Sequence, residues 1–325
     1  MMLKNLRGDI YGGVTAAIIA LPLALAFGVS SGAGPIAGMY GAIFVGLFAA
    51  LFGGTSAQIS GPTGPMTVVM AATFTQYTAY DPVSGPALAF TVVMMGGLFQ
   101  ILFGVLKLGK YIALVPFPVV SGFMSGIGII IIVLQIPAFF GYATPLGGTI
   151  STLRALPEII QNPVGQALIM GAISLLIVAF LPNKINRLIP SSLLALVAGT
   201  LIFLFLFPEK IAPTLGNIPT GFPTPQKPTF ELSLLVNMIK SAIVLAVLGS
   251  IDSLLTSLIA DNITRTHHNS DKELIGQGIG NTIAGIFGGL PGAGATMRTV
   301  VNIRAGGQTQ VSGILHALIL LAIVL

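Results

Sequence analysis

Residues 289–304 read Gly289-Leu290-Pro291-Gly292-Ala293-Gly294-Ala295-Thr296-Met297-Arg298-Thr299-Val300-Val301-Asn302-Ile303-Arg304. A glycine-rich, non-helical run leads into a short segment competent to form helix, with an arginine inside it and apolar runs on both sides. An earlier stretch, Gly61-Pro62-Thr63-Gly64-Pro65-Met66-Thr67-Val68-Val69, is built the same way. Each has a threonine at the break, Thr63 or Thr296, followed by a Thr-Val-Val step. A helix that begins at such a break carries free N–H groups and partial positive charge at its first turn. Two such N-termini aimed at one point make a site for an anion. The rest of the chain reads as the structure that holds this site inside a membrane.

The composition supports that reading. Only 7% of the 325 residues are charged, against roughly 25% in a soluble domain, and the mean hydropathy is +0.97. Apolar stretches of the ~17–25 residues needed to cross hydrocarbon recur along the chain. They are continuously apolar, which argues against a barrel, where lipid-facing and lumen-facing residues alternate. There is no cysteine, so thiol and disulfide chemistry are absent. No cleavable leader is expected, because nothing A-x-A-like ends the first span. The net charge of +5 is spread over short loops and does not point to nucleic acid.

Eleven segments are expected, spanning about 12–29 (broken by Pro22), 36–53, 65–78, 87–106, 117–137, 165–181, 190–206, 231–260, 273–288, the broken stretch 289–304, and one from 309. Ser151 to Gln161 suits a short interfacial helix, kinked or shortened by Pro157. The proline-rich run 208–229 suits an extended loop. With the N-terminus inside, nine basic residues fall in inner loops and three, Arg154, Lys210 and Lys227, in outer ones. That asymmetry favours a cytoplasmic N-terminus. The two broken segments become third and tenth, each preceded by Phe-Gly-Gly (52–54 and 287–289), and cross in opposite directions. Matched broken helices of opposite sense are the mark of an inverted repeat with its site near the midplane.

Asp252 is the acid deep in a span. An intramembrane charge is costly and by default functional, so it is a candidate cation ligand or proton carrier; the alternative is a structural ion pair with Arg298. Thr256 lies one helical turn on, on the same face. A carboxylate, hydroxyls and unwound carbonyls suit a hard cation such as sodium, although the Thr256 hydroxyl could instead bond its own helix. Arg298 supplies positive charge beside the two helix N-termini, or else pairs with Asp252 or caps carbonyls. Thr63 and Thr296 could meet an oxyanion or simply cap their helices. His267 and His268 are expected to be solvated, and His316 to serve packing. The glycines at 96–97, 104, 122, 126 and 128 are expected to permit close helix contact. No phosphate-binding or dinucleotide fingerprint occurs, so neither an enzyme nor an ATP-driven pump is expected, and no cofactor.

Four stretches resemble the SulP family of anion transporters. They are Asn5-Leu6-Arg7-Gly8-Asp9 with Gly12-Gly13-Val14-Thr15-Ala16-Ala17, Ile59-Ser60-Gly61-Pro62-Thr63-Gly64-Pro65, Lys272-Glu273-Leu274-Ile275-Gly276-Gln277-Gly278-Ile279-Gly280-Asn281, and Arg298-Thr299-Val300-Val301-Asn302. Stretches 89–95, 121–129 and 251–257 add a likeness to the family's sodium-dependent bicarbonate carriers. The resemblance implies an all-α polytopic membrane protein with an inverted-repeat transporter fold of seven-plus-seven segments. It implies core segments over 1–110 and 230–325 and a gate half over 111–229. The last three segments and a following STAS domain are not expected in this chain. It implies bicarbonate at Thr63, Gly64, Ala295, Thr296 and Arg298, and co-transported sodium at Asp252, Thr256, Gly294 and Thr296. The implied setting is the plasma (inner) membrane, with a homodimer as one assembly open to a full-length parent. Sulfate or another oxyanion is the alternative substrate. A nucleobase carrier of the same fold would need site carboxylates that are lacking, and a non-transporting membrane protein is the alternative from another class.

Overall fold

The computed structural model describes residues 5–112, 116–143, 145, 148–182, 191–207, 221 and 223–325. The chain forms two compact units, one of residues 1–128 with 218–325, the other of residues 129–217.

In the first unit, α1 (Leu6–Ser30), α2 (Pro35–Phe52), β1 (Ser60–Gly61), α3 (Gly64–Tyr80), α4 (Gly85–Val105) and the short α5 (Gly109–Ile112) follow one another. Helix α6 (Phe117–Phe139) begins here and ends in the second unit. The second unit adds α7 (Gly148–Gln161), α8 (Gly165–Phe180) and α9 (Ser191–Leu206). The chain returns to the first unit as α10 (Leu235–Thr264), α11 (Ser270–Ile286), β2 (Ala293–Gly294), α12 (Thr296–Arg304) and α13 (Gln310–Val324). Among the described residues α1, α2, α4 and α10 are long and apolar enough to cross a membrane, and shorter apolar helices cover 125–139, 194–206 and 310–324.

The first unit is built on α11, which packs against α4 and α2, while α13 packs against α1 and α2 and α10 against α4. Glycine makes the tightest of these contacts possible. A Cβ on Gly97 would stand 2.4 Å from the Thr282 backbone nitrogen, and one on Gly278 would stand 2.5 Å from the Gly97 carbonyl. Without a hydrophobic drive between helices in lipid, such small-residue contacts carry the packing. Gly104 likewise meets α11, whereas Gly122, Gly126 and Gly128 have nothing within 4 Å and so make no close helix contact among the described residues.

β1 and β2 pair antiparallel, Ser60 opposite Gly294 and Gly61 opposite Ala293. Two broken segments that cross in opposite senses and meet at their breaks produce this geometry. Extended backbone within a membrane protein needs partners, and both strands have them beyond each other. Ala295 N donates to Ile59 O (2.8 Å), Ile59 N to Thr299 Oγ1 (3.0 Å), and Asn302 Nδ2 to Ala57 O (2.9 Å). Asn281 clasps the backbone of Gly292 on both sides of its Cα, accepting from its N–H (2.7 Å) and donating to its carbonyl (2.9 Å).

Several expectations are corrected. Helix α1 is continuous through Pro22, and α7 is not shortened by Pro157 but runs from Gly148 to Gln161; a proline removes one intrahelical bond without ending a helix that its neighbours support. Helices α7 and α8 meet at a bend of 108°. Helix α10 runs Leu235–Thr264, about four residues later than expected at each end. His268 is not a free solvated side chain: its Nδ1 lies 2.7 Å from Asp261 Oδ2. Residues 208–220, most of the expected proline-rich loop, and the basic residues Lys4, Lys184, Arg187 and Lys210 lie outside the described residues.

Candidate functional site

The two half-helices start directly beyond the paired strands. Thr63 occupies the N-cap position of α3 and Ala295 that of α12, and neither makes a side-chain cap. Simple capping therefore does not account for Thr63. Its hydroxyl is buried, with no hydrogen-bond partner among the described residues. Thr296, the first residue of α12, turns its hydroxyl to α10 instead.

Three residues expected around a cation are brought together. Thr256 Oγ1 donates to Gly294 O at 2.9 Å and lies 2.7 Å from Thr296 Oγ1. Since the single Thr256 hydrogen goes to the carbonyl, the Thr296 hydroxyl donates to Thr256 and keeps its own lone pairs free. The alternative for Thr256, a bond to its own helix, is not the one adopted. Asp252 sits one turn earlier on α10, 5% exposed, and its Oδ2 has no hydrogen-bond partner. The Thr63 hydroxyl and the Arg298 guanidinium both act electrostatically on this carboxylate, yet the Thr63 geometry does not amount to a hydrogen bond.

Arg298 is 2% exposed. Its Nη2 donates to the Pro62 carbonyl, and its Nη1 has no partner among the described residues. Arg298 and Asp252 form no salt bridge within 4.0 Å, so the structural ion pair weighed from the sequence is not made. The arginine instead braces α12 to the break before α3 while holding one unsatisfied donor. Gly64 is partly exposed at the start of α3. The Ala295 N–H is committed to Ile59 and its carbonyl to Thr299 N, so Ala295 offers a ligand its methyl and the following peptide N–H. Among the described residues no cluster of three or more His, Cys, Asp or Glu could hold a metal ion; oxygen donors here come from one carboxylate, hydroxyls and carbonyls.

Sequence reasoning missed what supports these residues. Ser253 Oγ accepts from Gly294 N at 3.0 Å, so α10 holds both backbone polar groups of Gly294 through Ser253 and Thr256. Gln58, Gln277, Ser257 and Glu273 form a buried hydrogen-bonded cluster behind β1. The signal for Ser253 was its place beside Asp252; nothing local marked the cluster.

The chain matches the Sulfate permease family over residues 6–325. It is 54% identical over 322 residues to the bicarbonate transporter BicA of Synechocystis sp., covering 99% of this chain and 57% of that protein. It is 55% identical over 328 residues to BicA of Picosynechococcus sp., covering 99% and 58%. A putative sulfate transporter of Bacillus subtilis, YvdB, is 34% identical over 278 residues, covering 84% and 51%. The chain thus spans under three fifths of the length of these curated relatives. Among solved structures it matches the transmembrane domain of a cyanobacterium bicarbonate transporter BicA with a TM-score of 0.95 at 54% identity, covering all of this chain and 83% of that one. The fold of murine Slc26a9 in its inward-facing state matches with a TM-score of 0.87 at 19% identity, over 99% of this chain and 57% of that one.

Proposed function

The chain belongs to the sulfate permease family, is an integral multi-pass membrane protein with the fold of its transmembrane domains, and on that premise we propose that it carries bicarbonate into the cell together with sodium. The observation that carries the substrate is the 54–55% identity, over 99% of the chain, to two proteins named as bicarbonate transporters. What supports sodium is the oxygen-lined group of Asp252, Thr256, Gly294 and Thr296, whose carboxylate lacks a cationic partner. The anion lies between the N-termini of α3 and α12, touched by Thr63, Gly64, Ala295, Thr296 and the free Nη1 of Arg298.

The physical sequence runs through α12. An unneutralised Asp252 repels an arriving anion, and sodium removes that repulsion. Sodium bound at Gly294 and Thr296 also orders the stretch whose following N–H groups face the anion. Each ion then raises the other's affinity by the same factor, typically ~1–3 kcal/mol of coupling. The N-terminus lies in the cytoplasm and the setting is the cell's plasma (inner) membrane. The site crosses by an elevator-like movement of the core segments against the gate.

A second reading, transport of sulfate or another oxyanion, rests on the relative named as a putative sulfate transporter. Uptake of labelled bicarbonate and of labelled sulfate into proteoliposomes, each with and without sodium, tests both. Sodium-stimulated bicarbonate uptake is expected. Sulfate uptake with no bicarbonate uptake favours the second reading, and uptake of neither favours a non-transporting membrane protein.

A further inference from the structure

Glu273 stands in the first turn of α11, 1% exposed. Its carboxylate accepts four hydrogen bonds: Oε2 from Gly54 N (2.8 Å) and Thr55 N (2.9 Å), Oε1 from Gln58 Nε2 (2.8 Å) and Gln277 Nε2 (2.8 Å). It makes no salt bridge among the described residues. Every partner is an N–H donor, so the group can act only as an acceptor, which is what an ionised carboxylate offers. Burying a carboxylate without a cation is expensive even when donors surround it. An arrangement maintained at that cost fixes something in place.

What it fixes is the linker 53–59 that delivers β1. The second hydrogen of Gln277 Nε2 goes to Ser60 Oγ (2.6 Å), which belongs to β1 itself. Ser257 Oγ on α10 lies 2.9 Å from both Gln58 Oε1 and the Ser253 carbonyl of its own helix, which share its one hydrogen, and 2.7 Å from Thr55 Oγ1. The Gln58 amide, pinned from both sides, packs over Gly294: a Cβ there would stand 2.4 Å from Gln58 Nε2. Gly294 is also the residue that β1 pairs with at Ser60 and whose carbonyl Thr256 holds. A continuous set of direct contacts therefore runs from Glu273 through Gln58 to the backbone of the ion site.

We infer that Glu273 is a positioning residue for the sodium site, acting through Gln58 and β1 on the placement of Gly294 and Thr296. The inference rests on the sodium reading proposed above. Residues that orient ligands without touching the ion typically change its affinity ~10–100-fold. Glu273→Gln keeps the volume but turns an N–H towards donors, so it loosens the linker while leaving Asp252, Thr256 and Thr296 intact.

The test measures sodium half-saturation and maximal rate of labelled bicarbonate uptake, for wild type, Glu273→Gln, Glu273→Asp and Ser257→Ala of the full protein in liposomes. The amount and melting temperature of folded protein are followed in parallel. Glu273→Gln is expected to raise the sodium half-saturation about tenfold or more, with a smaller change in maximal rate per folded molecule. Glu273→Asp is expected to recover part of it, and Ser257→Ala to raise it severalfold. A purely structural role would lower the folded amount or the melting temperature without moving the half-saturation of the molecules that remain. If Glu273→Gln does not fold, Glu273→Asp decides: a half-saturation raised above wild type in the folded molecules supports the inference, and a wild-type value overturns it. Variants that fold with wild-type half-saturation overturn the inference and leave the sodium reading standing. A wild-type protein with no sodium response overturns both.

Discussion

Thr256 and Thr296, forty positions apart in sequence, place their hydroxyl oxygens 2.7 Å from each other, and the Thr256 hydrogen is spent on the Gly294 carbonyl. One hydroxyl pair therefore joins the middle of α10 to the first residue of α12. Any ligand that orders Thr296 also acts on the helix that carries Asp252.

Asp252→Asn is expected to abolish sodium stimulation of bicarbonate uptake while leaving the protein folded. The amide keeps the shape, and Asp252 has no salt bridge to lose; only the charge that offsets the cation disappears. Uptake with and without sodium, on protein checked for monodispersity, reads this directly. An unchanged sodium response would remove Asp252 from the sodium site.

Thr296→Val is expected to weaken sodium and bicarbonate together, each by about tenfold, roughly one lost hydrogen bond in a buried setting. Thr63→Val is expected to weaken mainly bicarbonate, because Thr63 Oγ1 bonds to no protein group and stands at the α3 break. Separate half-saturation curves for the two ions distinguish the variants. Equal damage to both ions from Thr63→Val would contradict the division of roles.

Arg298→Ser is expected to weaken anion binding and also to lower the melting temperature. The Pro62 carbonyl loses its charged donor, a hydrogen bond worth about 1.5–3 kcal/mol. Adding Asp252→Asn to Arg298→Ser is expected to restore the lost stability only in part: it relieves the buried carboxylate left without its neighbouring charge, but the Pro62 carbonyl stays without its donor. Thermal melts of the single and double variants check this. Full recovery in the double variant would mean that the charge, not the bond to Pro62, is what Arg298 contributes to folding.

Gly97→Ala is expected to destabilise the first unit by about 1–3 kcal/mol, the usual cost of forcing a methyl into a packed contact. The Cβ would meet backbone at 2.4 Å rather than a movable side chain. Gly126→Ala, inside α6 with nothing within 4 Å among the described residues, should not lower the melting temperature. Comparison of the two melts in detergent tests the assignment of the α4–α11 contact.

The fold and the site were unequally legible. The breaks at 61–64 and 289–295 could be read because glycine and proline interrupt otherwise continuous apolar runs there; that the two breaks pair as antiparallel strands was not read from the sequence. Asp252 and Arg298 stood out because intramembrane charge is rare, but their pairing could not be judged from sequence: two charges of opposite sign invite an ion pair, and the Pro62 carbonyl that takes the arginine is invisible until the chain is folded. Glu273 looked like an ordinary acid at a helix start. Its bond to Gln58 joins positions 215 apart, which no periodicity encodes. Ser253 was not singled out: its hydroxyl donates to Gly249 O on its own helix, and its lone pairs receive Gly294 N from 41 positions away.

The central claim is that sodium and bicarbonate share the Gly294–Thr296 stretch. It is tested most directly by calorimetric titration of bicarbonate into the full protein at several fixed sodium concentrations. The account predicts that bicarbonate affinity rises with sodium and then saturates, with sodium affinity raised by the same factor when bicarbonate is held constant, about 5–150-fold for coupling of ordinary size. A bicarbonate affinity independent of sodium would contradict the shared stretch, even if both ions cross the membrane.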